Sequence, residues 1–123
     1  PLISMKENEK DCTFCKIIRG EIRDNIIAQS NSFIAILDIK PKVKGHTLVI
    51  PKKHYVTLLD MPNKLGEELL EFCKKIASDM LDRKIGDGFN VIMNNLEPAG
   101  QIVKHAHLHI LPRIEGDAFR SPV

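Results

Sequence analysis

Three histidines, His105, His107 and His109, alternate with Ala106, Leu108 and Ile110 in the run from Lys104 to Pro112. Imidazole titrates near neutrality, so it can serve as nucleophile, hydrogen-bond donor or metal ligand without a large change of environment. In an extended chain alternate side chains share a face, which puts three imidazoles on one side and the apolar residues on the other. At ~3.3 Å per residue, His105 and His109 would stand ~13 Å apart, too far for all three to surround one ion, although an adjacent pair could chelate one. The three must divide their labour. A second candidate cluster is Cys12-x-x-Cys15, readable as half a zinc site, a redox pair or chance. A redox pair would follow a strand, and the residues before Cys12 are charged, so zinc is the better reading.

Several elements must position these groups. Phe14, Ile17 and Ile18 have helical spacing over 13–20, with Thr13 able to cap and Gly20 to stop a short helix. Residues 25–30 and 32–38 read as an Ile-rich hairpin turning at Ser30-Asn31, and 40–45 as a loop. His46-Thr-Leu-Val-Ile-Pro51 reads as a buried strand ending at its proline. Leu65, Leu69, Phe72, Ile76 and Met80 recur every three or four residues, predicting one long helix over 63–85 that ends at Gly86-Asp87-Gly88. Cys73 falls on its apolar side, as packing. A strand from Phe89 to Asn94, a polar loop to Gly100 and a last strand from Val103 to Leu111, stopped by Pro112, complete the pattern. Two helices and about five strands joined by short turns predict an α+β fold with a largely antiparallel sheet.

Composition bounds the function. The chain has 123 residues, 43% hydrophobic and 28% charged, enough apolar material for one domain that folds without staples. Eighteen Lys and Arg against sixteen Asp and Glu leave a formal charge of +2, which argues against nucleic acid as partner. No run approaches the ~20 apolar residues of a membrane span, and no signal peptide is evident, so no membrane association is expected. An odd cysteine count, three, argues against a secreted disulfide framework and for the reducing cytoplasm. The expected organisation is a flexible segment over 1–10, with Met5 as a possible native start, a domain over 11–117 and a short tail over 118–123.

The run His105-Ala-His107-Leu-His109-Ile-Leu111 resembles the signature of the histidine triad (HIT) family. Supporting blocks occur in family order: Phe14-Cys-Lys-Ile-Ile-Arg-Gly20, Leu37-Asp38-Ile39-Lys-Pro41, Gly45-His46 to His54, Asn94, Gly100-Gln101 and Pro112-Arg113. The resemblance implies the HIT-like α+β fold, a homodimer with a continuous sheet, and nucleotide hydrolysis or transfer. It implies His107 as the nucleophile at the α-phosphorus, giving a nucleotidyl-histidine that water hydrolyses, with His109 donating to phosphate or leaving group. Donors should dominate such a rate, because negative charge gathers on the phosphoryl oxygens. Asn94 and the amides near Gly100 and Gln101 are candidate donors, and Asp38 with Ile39 a candidate ribose site. Phe14, Ile17 and Ile36 would cover a purine base, and His46 would support the site.

By the same resemblance, Cys12, Cys15, His54 and His105 would bind a structural zinc; no catalytic metal is expected, since no carboxylate cluster suited to magnesium is evident. The substrates implied are purine nucleoside phosphoramidates or related adenylated nucleotides, AMP- or GMP-type. The alternatives are dinucleoside polyphosphate hydrolysis, or a nucleotide sensor with vestigial turnover. One departure stands out. Ile102 occupies the position where the phosphoramidase branch carries a serine that assists the leaving group, and 114–123 lacks that branch's tryptophan-bearing end, so Gly116-Asp117 looks closer to the bacterial and archaeal type.

Overall fold

Alternation along Phe33-Ile-Ala-Ile-Leu37 sends Phe33 and Ala35 to one side of a strand and Ile34 and Ile36 to the other, and every one of these four is buried. A strand buried on both faces needs a cover on each side. The computed structural model, which describes residues 10–119, supplies both. The elements are helix α1 (Thr13–Ile18), strands β1 (Ile26–Gln29), β2 (Phe33–Leu37) and β3 (Thr47–Pro51), helix α2 (Gly66–Asp82), and strands β4 (Gly88–Ile92) and β5 (Leu108–Arg113). One sheet of order β1-β2-β3-β5-β4, antiparallel at each pairing, carries α1 on one face and α2 on the other. The α+β expectation holds.

Two cores result. Phe14, Cys15 and Ile17 of α1 pack on Ile34, Ile36, Leu48 and Ile50. Phe72, Ile76 and Met80 of α2 pack on Phe33, Ala35, Val49 and Ile110 across the sheet. The second core follows the predicted helical spacing, and Cys73 sits half-buried at its edge, where burial pushes its thiol up. Among the described residues no helix is long and apolar enough to cross a membrane.

Several boundaries differ from expectation, those of the two helices and the last strand for local reasons. The N-cap of α1 is Cys12 rather than Thr13, its sulfur accepting from the Cys15 amide at 3.4 Å. Gly20, at φ +79°, does end that helix. Helix α2 starts at Gly66, after a 3-10 turn over Asn63–Leu65, and stops at Asp82 before reaching the glycines. Lys84 takes the left-handed conformation there, at φ 59°, and Ile85 bonds back to the Met80 carbonyl. The last strand starts at Leu108, not Val103, and runs through Pro112, whose partner is Phe89 of β4. Pairing with β3 ends at Thr47 opposite Ile110, and Gly45 then approaches Pro112 so closely that a Cβ there would lie 3.0 Å from its ring. Of the expected terminal segments, 1–9 and 120–123 lie outside the described residues.

Candidate active site

His109 lies opposite Leu48 in the β3–β5 register, so its ring belongs to the α1 face of the sheet. His107 precedes the strand and keeps the same side, its ring 5.0 Å from that of His109. His105 sits in the bend that replaces the expected start of the strand, fully buried, with Ala106 pinned by its amide to the Tyr55 carbonyl at 2.6 Å. Its ring turns away from the other two toward the cysteines. Phe14 of α1 stands edge-on to both His105, at 5.7 Å, and His107, at 5.1 Å, and so wedges the two imidazoles apart.

The hydrogen bonds decide where each ring carries its proton. Nδ1 of His107 is 2.7 Å from the His105 carbonyl, which only accepts, so Nδ1 holds the proton and Nε2 keeps its lone pair. Burial holds His107 below the usual imidazole range, against the opposing pull of that carbonyl and of Asp38. His107 is a neutral base at pH 7, oriented as a nucleophile requires. His109 is pushed down to about 4, by burial first and then by His107 and His46. His46, buried, places Nε2 2.8 Å from His109 Nδ1 and 3.5 Å from Asp38 Oδ2. Desolvation lowers its pKa too, opposed by Asp38.

The Cys/His cluster lies on the far side of Phe14. Sγ of Cys12 is 3.3 Å from His105 Nδ1; Sγ of Cys15 is 3.3 Å from His54 Nδ1 and 3.5 Å from His105 Nδ1; the two Nδ1 atoms are 3.1 Å apart. A tetrahedron with zinc's usual bond lengths has N···N edges of about 3.3 Å and S···N edges of about 3.6 Å. The four buried groups fit one such ion. The Pro51 carbonyl, 2.8 Å from His105 Nε2, takes the proton of that nitrogen and leaves Nδ1 bare toward the cluster. The Cys15 amide on Cys12 Sγ is a further donor to sulfur.

The remaining candidates fall into two groups. Asp38 ends β2 beside His46, with Oδ1 accepting from the Lys40 amide at 3.0 Å, and Ile39 next to it is 82% exposed. Asn94 lies beside Gly100, whose left-handed backbone, φ +97°, favours glycine; a Cβ there would make only an ordinary contact, 3.4 Å from Asn94 Nδ2. The amides of Gly100 and Gln101 are engaged within this loop, by Glu97 and Leu96 carbonyls, and the Gln101 side chain binds Leu96, Val56 and Val103 backbone groups. Both shape the loop. Ile17 and Ile36 are buried in the α1 core, and Ile102 is 90% exposed. Backbone partners of the histidines, above all the Lys42 amide 3.1 Å from His46 Nδ1, are absent from any sequence reading, because a main-chain group carries no residue label.

Concavity alone does not mark this site. A groove of about 970 Å³ lies on the opposite face, between α2 and β1, with Phe72, Lys75 and Arg83 among its walls and no histidine.

The antiparallel sheet thus presents one neutral, backbone-oriented imidazole beside a second, with a Cys/His cluster behind them. The HIT domain matches residues 19–116, and the chain belongs to the HIT family. It is 47% identical over 108 residues to an uncharacterised HIT-like protein of Methanocaldococcus jannaschii, covering 86% of this chain and 81% of that one. It is 38% identical over 109 residues to an adenylylsulfatase of Arabidopsis thaliana, covering 89% of this chain but 55% of that one. Identity to an adenosine 5'-monophosphoramidase of Candida albicans is 36% over 106 residues, covering 83% and 70%. A structure from Streptococcus mutans superposes with TM-score 0.86 at 42% identity, covering 92% of this chain and 72% of that one. A zinc-bound histidine triad protein from Mycobacterium smegmatis superposes with TM-score 0.83 at 37% identity, covering 94% and 86%.

Proposed function

We propose that this protein hydrolyses purine nucleoside phosphoramidates or related adenylated nucleotides at the α-phosphorus, with His107 as covalent nucleophile. The observation that carries this is the 2.7 Å contact from His107 Nδ1 to the His105 carbonyl, which aims a neutral Nε2 lone pair outward. In the first step Nε2 attacks phosphorus, forming a P–N bond as the bond to the leaving group breaks; an amine leaving group accepts a hydrogen bond from His109 Nε2–H and takes a proton from water. In the second step the hydroxide left by that water attacks phosphorus, and His107 departs as neutral imidazole. Asp38 would hold the ribose hydroxyls, Phe14, Ile17, Ile36 and Ile39 would bound the base, and Asn94 would add an uncharged donor beside the Gly100–Gln101 loop. The names of the plant and yeast relatives support a hydrolase of adenylated compounds.

Cys12, Cys15, His54 and His105 would hold one zinc, tying α1 to the segment that follows β3 and the one that precedes β5; zinc there would supply stability and no step of the reaction. Thiols serving as ligands suit a reducing, cytoplasmic setting. The free edge of β4, with Phe89 and Val91 exposed at 44% and 47%, would pair with a second copy into a homodimer.

The test is incubation with adenosine 5'-phosphoramidate while following AMP, with rapid quenching in base to trap nucleotidyl-enzyme. Wild type should release AMP and show a burst that His107→Ala lacks. Equal rates for the two proteins, or tight AMP binding with no burst, would overturn the reading.

A further inference from the structure

Among the described residues two clusters have metal-ligating composition and spacing: Cys12, Cys15, His54 and His105, and, beside the proposed nucleophile, Asp38, His46 and His109. The second has two imidazoles and a carboxylate within 4.8 Å of one another, the donor set of a divalent transition-metal site with open positions. Each cluster contains a histidine braced from behind by a backbone group, and the two braces are opposite in sign. Behind His105 stands a carbonyl, that of Pro51, which takes the far N–H and turns a bare nitrogen toward the cluster. Behind His46 stands an amide, that of Lys42, which donates to Nδ1 at 3.1 Å. A neutral imidazole that accepts at Nδ1 must carry its proton at Nε2. That proton faces His109 Nδ1 at 2.8 Å, with the Asp38 carboxylate 3.5 Å away on the same side. His109, accepting at Nδ1, must in turn carry its own proton at Nε2.

We propose that the Lys42 backbone amide is a positioning group of the active site: it sets the proton order Lys42 N–H to His46 Nδ1, His46 Nε2–H to His109 Nδ1, so that His109 offers an N–H at Nε2 and the Asp38–His46–His109 cluster refuses divalent metal. A metal on His46 Nε2 would need that nitrogen bare and Nδ1 protonated, placing two donors face to face across 3.1 Å. The same amide opposes doubly protonated His46, which would present the same clash. One backbone group thereby does for the active site what the Pro51 carbonyl undoes for the zinc cluster. The use of the His109 proton in catalysis rests on the function proposed above; the tautomer order and the metal refusal do not.

The amide can be removed without touching any side chain, by replacing Lys42 with its α-hydroxy acid, which turns the amide into an ester; Lys42→Pro removes it genetically, and Lys42→Ala keeps it. In zinc-loaded wild type, imidazole nitrogen NMR should show His46 and His109 both as single Nε2–H tautomers, and zinc titration should stop at one equivalent. The Lys42→Ala spectra should match. The ester should show mixed His46 tautomers, bind a second zinc that AMP displaces, and lose about tenfold or more in kcat with KM little changed. Lys42→Pro, checked for retention of the first zinc, should reproduce the second equivalent. The proposal is overturned if wild-type His46 is protonated at Nδ1 or mixed, if wild type takes a second zinc at Asp38, His46 and His109, or if the ester keeps one tautomer and one zinc. Correct tautomers in a wild type that hydrolyses no nucleotide would sink the proposed function alone.

Discussion

The carbonyl oxygen of His105 accepts from Nδ1 of His107 at 2.7 Å, so the residue whose ring completes the Cys/His cluster also fixes, through its backbone, the tautomer of His107. Anything that loosens the His105 ring therefore reaches His107. Cys15→Ser removes a sulfur within 3.5 Å of both cluster imidazoles. It should abolish zinc binding at that cluster and lower Tm by about 10–20 °C, the shift given by losing a ligand held far above its Kd. It should also lower kcat, through the His105 carbonyl that holds the His107 ring. Elemental analysis, melting and steady-state kinetics together check this; a variant that loses zinc yet melts and turns over as wild type does would refute the coupling.

His109 is distinguished from His107 by what its loss should do. On the proposed mechanism, His107→Ala should remove the nucleophile and with it the covalent intermediate. His109→Ala leaves the nucleophile but takes away a donor to developing charge, an effect of about 10²–10³ in kcat. The burst should persist in His109→Ala with a slower rate for amine leaving groups, while nucleotides whose leaving group departs as a stable anion should suffer less. Equal losses across both leaving-group types, measured by single-turnover kinetics, would remove His109 from assistance to the leaving group.

Acid should weaken fold and activity in the same direction. The imidazole of His109 is pushed down to about 4 and that of His107 lies below its ordinary value, both chiefly by burial. In the unfolded chain these rings take protons near pH 6.5. Between about pH 6.5 and 4 the unfolded state therefore binds more protons, and stability falls as pH falls through that window while staying level above it. The reaction needs the lone pair of His107, so the rate should fall on acidification too, with its midpoint below 6.5. Urea midpoints and kcat/KM against pH measure the two; an acid limb centred at or above 6.5 contradicts the burial seen here.

Much of this site was legible because its residues are chemically specific and ordered along the chain. The apolar spacing of Leu65 to Met80 placed α2, and the alternation through His107 and His109 placed two rings on one face. The start of β5 was misread for an instructive reason. Alternation of His105 with Ala106 looks like a strand, but the bond from Ala106 to Tyr55 and the reach of the His105 ring toward Cys12 draw that segment out of the sheet. Pairing partners separated by about fifty residues or more leave no local periodicity. The tautomers were equally out of reach, since the Lys42 amide and the Pro51 and His105 carbonyls that set them are common to every residue type.

The end of α2 supplies a prediction remote from the site. Ile85 bonds to the Met80 carbonyl at 2.9 Å and Lys84 to that of Leu81 at 3.1 Å, the pattern of a helix closed by a left-handed residue, and that residue is Lys84 at φ 59°. A residue with a Cβ pays roughly 1–2 kcal/mol for this conformation, and glycine does not. Glycine gains freedom in the unfolded chain, which offsets part of the difference. Lys84→Gly should therefore stabilise the protein by about 1 kcal/mol and raise Tm by about 3–6 °C, with kcat unaltered, since Lys84 lies on the α2 side of the sheet, away from the imidazoles. Denaturant unfolding at constant m-value decides it: a lower midpoint would mean that the Lys84 side chain makes a contact worth more than the backbone conformation costs.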